Sequence, residues 1–207
     1  MSESTSAPTS VPTLESFIHS IKSAKIYEYM HLKIFVNEED KEDFSLKRTY
    51  EEAAKQHNLS IINEPTSYNS GFDIYLPDEL KTTKRYANKV DYKIKCSATL
   101  NITDKHKDRS FRSQNSAFYM YGRSSISKSD FRLANNQGIV DMGYRGSLIG
   151  MFDLATEHMG IASRGERLLQ ICPTNLNIPM FIEVVNTFED LGSPTTRGEK
   201  GLGSSGK

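Results

Sequence analysis

The chain has no tryptophan, only two cysteines, no net charge, and no apolar run approaching the length of a membrane span. Each shortage excludes something. Cys96 and Cys172 lie in separate apolar-rich segments without paired spacing, which argues against a disulfide scaffold and fits a reducing compartment. The 26 basic side chains are balanced by 26 acidic ones, so the broad basic surface that non-specific binding to nucleic acid or anionic membrane requires is missing. No nucleic-acid partner and no membrane partner are expected. The five histidines (His19, His31, His57, His106, His158) show no metal-ligand spacing, so a zinc site is not expected either. None of this excludes a nucleotide, because a local group of arginines and backbone N–H donors can hold phosphates.

At 207 residues the chain has room for one sizeable domain with extensions. Residues 1–12, MSESTSAPTSVP, are rich in Ser, Thr and Pro and have neither arginine nor an apolar core. They read as a disordered tail rather than a secretory or mitochondrial signal, so the expected location is the cytoplasm, with the nucleus as second choice. Thr13 can cap a short helix or extension over residues 13–28, with Leu14, Phe17, Ile18 and Ile21 on its apolar face. A β domain is expected over 29–190, with a helical insertion near 49–58 opened by a capping box at Thr49 and Glu52. Residues 191–207 read as a flexible, glycine-rich arm.

The clearest alternation runs from Tyr92 to Ile102, where Tyr92, Ile94, Cys96, Ala98, Leu100 and Ile102 alternate with polar residues. That is a strand with one face in a core. Further short strands are expected at 29–36, 117–121, 168–172 and 181–185. Many short strands between polar turns argue for an antiparallel sandwich or barrel. The stretch Arg132 to Asp153 contains Gly138-Ile139-Val140-Asp141-Met142-Gly143-Tyr144-Arg145-Gly146, which reads as a β-hairpin turning at Met142-Gly143. It sets a carboxylate and an aromatic ring beside one turn, with glycines where backbone can approach a ligand closely.

Five segments stand in one order: Ser70-Gly71-Phe72-Asp73-Ile74; Gly122-Arg123-Ser124-Ser125; Asn135 to Gly146; Arg164-Gly165-Glu166-Arg167-Leu168-Leu169-Gln170; and Arg197-Gly198-Glu199-Lys200-Gly201-Leu202-Gly203-Ser204-Ser205-Gly206. In these segments the chain resembles the trimeric dUTPases (deoxyuridine triphosphate diphosphatases), across roughly residues 29 to 206. The resemblance implies an all-β, jelly-roll-like dUTPase β-clip fold with one or two short helices, assembled as a homotrimer with shared active sites. It implies hydrolysis of dUTP to dUMP and pyrophosphate, which limits uracil incorporation into DNA. Asp141 is then the base that activates a water for attack on the α-phosphate. Tyr144 lies under the deoxyribose and leaves no room for a 2′-hydroxyl. Backbone groups near Gly138 read uracil, with Asn135 at the mouth of the pocket. Arg123, Ser124, Ser125, Gln170 and Arg197 hold phosphates, the arm residues Gly201, Leu202, Gly203 and Ser204 close over the nucleotide, and Asp73 supports the phosphate end. Mg²⁺ is implied as cofactor, held mainly by the substrate phosphates and water rather than by a carboxylate cage.

Four residues depart from the family pattern. Leu202 stands where an aromatic normally stacks on uracil, Lys200 replaces a frequent glycine, and Met142-Gly143 replaces a common acidic pair. Two other readings follow from the same fold. A dCTP deaminase needs a Glu on the strand after the turn, where Met151 and its neighbours are apolar. A catalytically idle nucleotide-binding or interaction module is the other, kept open by Leu202. The tail Gly201 to Lys207 also imitates the start of a P-loop, but no strand precedes it and no helix follows, so that fold is rejected.

Overall fold

A computed structural model describes residues 11–37, 43–106 and 110–201 of the chain. Among these residues the strands are β1 (Glu28–Val36), β2 (Phe72–Ile74), β3 (Leu80–Thr82), β4 (Asn88–Thr103), β5 (Ser110–Asn115), β6 (Phe118–Gly122), β7 (Phe131–Leu133), β8 (Gln137–Val140), β9 (Ser147–Leu154), β10 (Gly160–Ala162), β11 (Leu169–Pro173) and β12 (Met180–Val185). The helices are α1 (Leu14–Ser23) and α2 (Leu46–Asn63). The fold is mostly β, as the short alternating segments imply.

A six-stranded sheet runs β12-β1-β4-β9-β7, with β5 added beside β4; a four-stranded sheet runs β2-β11-β6-β8; β10 and β3 form a separate pair. Pairing is antiparallel except for β1 against β12, which run parallel from Met30–Met180 to Phe35–Val185. That parallel pair departs from the all-antiparallel expectation. It is possible because most of the chain separates the two strands, leaving ample length for a crossover. One apolar core draws residues from both larger sheets, including Leu32, Ile34, Tyr92 and Ile94 from one and Phe72, Met120, Leu169 and Ile171 from the other.

The alternation in β4 holds from Tyr92 to Ala98, all buried on one face. Past Ala98 the buried positions become Asn101 and Thr103, while Leu100 and Ile102 are only half-buried. Both buried polar side chains are satisfied: Thr103 Oγ1 donates to the Tyr27 carbonyl at 3.1 Å and Asn101 Nδ2 to Thr99 Oγ1 at 3.0 Å. The strand also breaks register against β9 between Asp91 and Lys95, at a bulge where Lys93 takes φ +56°.

Helix α1 begins where Thr13 predicts. Its Oγ1 accepts from Ser16 N at 3.1 Å, and Phe17, Ile18 and Ile21 bury the apolar face. They form a second apolar cluster with Tyr29, Ile61 and Phe181, where Phe17 meets the Tyr29 and Phe181 rings edge-on at 5.6 and 5.3 Å. Helix α2 differs from the expectation in length and start. Its cap is Ser45, whose Oγ accepts from Arg48 N at 3.1 Å, and it runs to Asn63. Thr49 lies inside the first turns and bonds back to the Ser45 carbonyl at 2.8 Å, so the apparent capping box is helix interior.

The turn at Asp141 is present, but not as a hairpin. Tyr144 N donates to the Asp141 carbonyl at 3.0 Å, and Gly143 takes φ +79°, the left-handed conformation that the third position of a type II turn requires. The strands on either side do not pair with each other. β8 pairs with β6 in the smaller sheet, whereas β9 pairs with β4 and β7 in the larger one. Hydrogen-bonding groups that a hairpin ladder would use are taken elsewhere: the Arg145 N–H donates to the Gly198 carbonyl at 2.9 Å. The turn therefore carries the chain from one sheet to the other.

Candidate functional site

Two groups of polar side chains gather the residues singled out in the sequence. The first is built on the four-stranded sheet. β11 lies between β2 and β6, so Gln170 stands opposite Asp73 on one side and Tyr121 on the other. Arg123 follows the last residue of β6 and opens a 3-10 turn, Ser124–Lys128. Its Nε donates to Asp73 Oδ1 at 2.6 Å, and its Nη1 to Ser125 Oγ at 3.1 Å and to the Arg167 carbonyl at 3.2 Å. Arg167 Nη1 donates to the other carboxylate oxygen, Asp73 Oδ2, at 3.1 Å.

One carboxylate thus holds two guanidiniums, leaving the trio with one net positive charge at the surface. Charge-assisted bonds of this kind fix side-chain direction more firmly than a lone exposed ion pair does. Ser124 and Ser125 are exposed beside Arg123. A cavity of about 1090 Å³ opens here, lined by Arg123, Ser124, Asp73, Arg167 and Gln170. Helix α2 supplies another wall through Glu52, Gln56 and His57. Arg167 lies within a segment quoted from the sequence but was given no task there. The signal that identifies it is the register of β2 against β11, which appears only once the sheet is built.

The second group surrounds the turn. Asp141 is exposed, and its Oδ2 pairs with Arg197 Nη2 at 2.7 Å. Tyr144 is half-buried, and its hydroxyl donates to the Ser147 carbonyl at 3.1 Å. Burial raises the Tyr144 pKa, with Glu199 and Asp91 adding to the shift, so the phenol stays protonated at neutral pH. Gly146 is needed under the ring: a Cβ there would lie 2.6 Å from Tyr144 Cζ. Gly201 approaches the same ring from the arm, and a cavity of about 370 Å³ lies beside it, lined by Tyr144, Lys95, Glu199 and Gly201. Arg145 is buried, with Nη1 donating to the Tyr144 carbonyl at 3.0 Å and Nε without a partner; burial lowers its pKa.

The remaining predicted residues fall between or outside these groups. Gly138 is buried on β8 opposite Met120, whose Cβ would lie 3.1 Å from a Cβ at Gly138. Asn135 is exposed in the turn between β7 and β8. Leu202, Gly203 and Ser204 lie outside the described residues. The arginine-bearing group and the turn-bearing group line different cavities. Within one chain, the structure does not bring Arg123 and Gln170 into the cavity beside Tyr144.

Among the described residues, no cluster of three His, Cys, Asp or Glu side chains could hold a metal ion. Asp73 and Asp141 each already hold guanidinium partners. Cys96 and Cys172 are free and buried; burial pushes both thiols up, Cys172 to about 11, so neither is a nucleophile at neutral pH. No described helix is long and apolar enough to cross a membrane.

A mostly-β chain with paired guanidiniums on one carboxylate, and a second carboxylate and ring on a glycine turn, is suited to an anionic, ring-bearing ligand. Comparison with known sequences finds partial matches. The chain is 36% identical over 76 residues to the deoxyuridine 5′-triphosphate nucleotidohydrolase of Mycobacterium sp. (strain JLS), a match covering 36% of this chain and 49% of that protein. It is 32% identical over 90 residues to the enzyme of the same name from Mycobacterium marinum, covering 42% of this chain and 58% of that one. Over the matched segment the chain is similar to these proteins, and it spans about half the length of the curated relatives it matches. No family profile matches. Among solved structures, a dUTPase from Streptococcus mutans superimposes with a TM-score of 0.39 at 17% identity, over 52% of this chain and 78% of that one. A superposition that loose does not bear on fold or function.

Proposed function

We propose that the chain hydrolyses dUTP to dUMP and pyrophosphate. The observation that carries this reading is the turn at Asp141–Tyr144, with an exposed carboxylate and a half-buried ring, in a chain whose matched relatives are named as dUTP hydrolases. Asp141 takes the proton of a water aligned on the α-phosphorus. Tyr144 forms the floor under the deoxyribose, and Gly138 and Asn135 lie on the strand and turn that face the base. Arg123, Ser124, Ser125 and Gln170 supply donors to the phosphates, with Asp73 holding Arg123 in direction. Arg197 and the arm through Gly201, Leu202, Gly203 and Ser204 close the site.

Two features support an assembly of chains, a homotrimer by the resemblance. The two groups line separate cavities, so donors from one chain must meet the turn of another to act on a single nucleotide. Ile139 and Met142 on either side of Asp141 are also exposed, at 68% and 56%, which suits burial against a neighbouring chain. Mg²⁺ would be bound through the nucleotide's phosphates, where it neutralises developing charge, since the carboxylates nearest the site are already engaged by arginine.

The test is to incubate the protein with dUTP, UTP, dTTP or dCTP and Mg²⁺ and measure pyrophosphate and ammonia. Pyrophosphate from dUTP alone is the expected result. Its absence with nucleotide binding retained would establish an idle binding module, and ammonia from dCTP would establish a deaminase.

A further inference from the structure

Helix α2 forms one wall of the larger cavity. Thr49, Glu52, Gln56 and Ser60 recur at three- and four-residue spacing, so a single polar stripe of the helix lines it. Other sides of the helix are fixed to the sheets. Tyr50 is fully buried, and its hydroxyl accepts from Tyr75 N at 3.0 Å, two residues beyond Asp73. Asn58 is buried as well: its Nδ2 donates to the Ile182 carbonyl at 2.8 Å, and its Oδ1 accepts from Ile182 N at 2.9 Å. The stripe therefore stands at a set place relative to the arginine-bearing group, carried by a rigid element.

Charge decides what the stripe can do. The described lining of the cavity has two guanidiniums, Arg123 and Arg167, and two carboxylates, Asp73 and Glu52. Burial lowers the His57 pKa to about 4, so that ring adds no charge at neutral pH. The lining is thus neutral, in the cavity whose arginines are to hold phosphates. Asp73 spends both oxygens on guanidiniums, whereas Glu52 has no cation on it among the described residues. Gln56 Nε2 donates to Glu52 Oε1 at 2.7 Å and steadies the carboxylate through that oxygen, leaving the other to a ligand.

A bare triphosphate is repelled by Glu52. A triphosphate carrying a divalent cation brings a positive group with coordinated waters, whose hydrogen bonds a carboxylate accepts. We propose that Glu52 is the cation-facing residue of this cavity. It accepts hydrogen bonds from water on a phosphate-bound divalent cation, and so selects the metal complex of the nucleotide over the free nucleotide. Gln56 is its positioning residue. This rests on the function proposed above, because that reading puts the phosphates in this cavity.

The test is binding rather than turnover. The probe is a dUTP analogue with NH in place of the oxygen between the α- and β-phosphorus, titrated by calorimetry with Mg²⁺ and again with a chelator. Mg²⁺ should tighten binding to the wild type. In Glu52→Gln the ratio of the two dissociation constants should fall about tenfold, as one water-carried contact to a charged group is lost. The chelator value should be equal or tighter, and the melting temperature unchanged. Gln56→Met should lower the ratio by less. Glu51→Gln is the control, since Glu51 is exposed, pairs with Lys47 at 3.8 Å and does not line the cavity. Its ratio should match the wild type. A wild type that Mg²⁺ does not tighten, an unchanged ratio in Glu52→Gln, or an equal fall in Glu51→Gln would overturn the proposal. A wild type that binds the analogue in neither condition would remove the proposed function together with this inference, whereas binding with an unchanged Glu52→Gln ratio removes this inference alone.

Discussion

Gln170 lays its carboxamide directly over Gly71: a Cβ at Gly71 would lie 2.8 Å from Gln170 Cδ and nearer still to its Oε1. Cys172 Sγ, 3.1 Å from the same point, closes the other side. A methyl group at Gly71 must therefore move the end of Gln170, whose side chain is flexible, rather than the sheet. Gly71→Ala is expected to cost about 1–3 kcal/mol where the amide must be displaced, as overpacking does elsewhere. Its signature is a raised KM for dUTP together with a melting temperature lowered by several degrees. Unchanged KM would show that Gln170 does not meet the nucleotide.

Asp73 sits between Arg123 and Arg167 at 2.6 and 3.1 Å. Asp73→Asn keeps the shape and removes the charge, so two guanidiniums lose their shared anion and repel each other. The local field for phosphate becomes more positive, yet the direction of Arg123 is lost. Turnover should fall by ten- to a hundredfold, the loss of about 1.4 to 3 kcal/mol that mispositioning a charged donor brings. Pyrophosphate, which needs charge more than direction, should inhibit the variant at least as well as the wild type. Normal turnover in Asp73→Asn would mean that Arg123 is oriented by other contacts.

The carboxylate, ring and glycines near Asp141 were legible because turn chemistry is local: a φ of +79° at residue 143 calls for the glycine that the sequence shows. What the turn connects was not legible. Whether β8 and β9 pair depends on β6 and β4 competing for the same edges, and that competition is settled by residues far away in sequence. Helix α2 shows a different kind of failure. Thr49 with Glu52 satisfies the capping pattern, but so does any Thr three residues before a Glu inside a helix, and Ser45 holds the real cap. Arg167 was missed for the same reason as the strand pairing, since only the β2–β11 register brings it to Asp73.

His57 gives a pH dependence that is independent of any activity. The ring lies edge-on to Phe72 at 5.5 Å and its Nε2 contacts the Met180 carbonyl at 3.2 Å. Burial lowers its pKa to about 4, against the partial offset of that carbonyl. The folded chain therefore keeps His57 neutral while the unfolded chain takes up a proton below about 6.5. Stability is fully present above that pH and is lost as pH falls toward 4, on the order of 3 kcal/mol over the window. In His57→Gln the difference between the two denaturation curves should vanish near pH 4 relative to pH 7. Parallel curves for both proteins across this range would show that the histidine charges in the folded state.

Deleting the chain from Thr195 onward separates the arm from the fold. Leu191, the last buried apolar residue before the cut, remains, and of the residues removed, the described ones up to Gly201 are partly or fully exposed. Little apolar area is lost, so the melting temperature should fall by no more than a few degrees. Against this, Asp141 loses Arg197, the Gly143 carbonyl loses Thr195, and Lys95 loses Glu199. Partly exposed contacts of this kind add about 1 kcal/mol each, so the fold survives their loss. Turnover should nevertheless disappear, because Arg197 is the one arm cation placed on Asp141 and nothing else in the described turn replaces it. Calorimetry and a pyrophosphate assay on the same preparation decide between the two roles. A collapsed melting transition would make the arm part of the fold, and residual turnover near the wild-type level would remove it from the reaction.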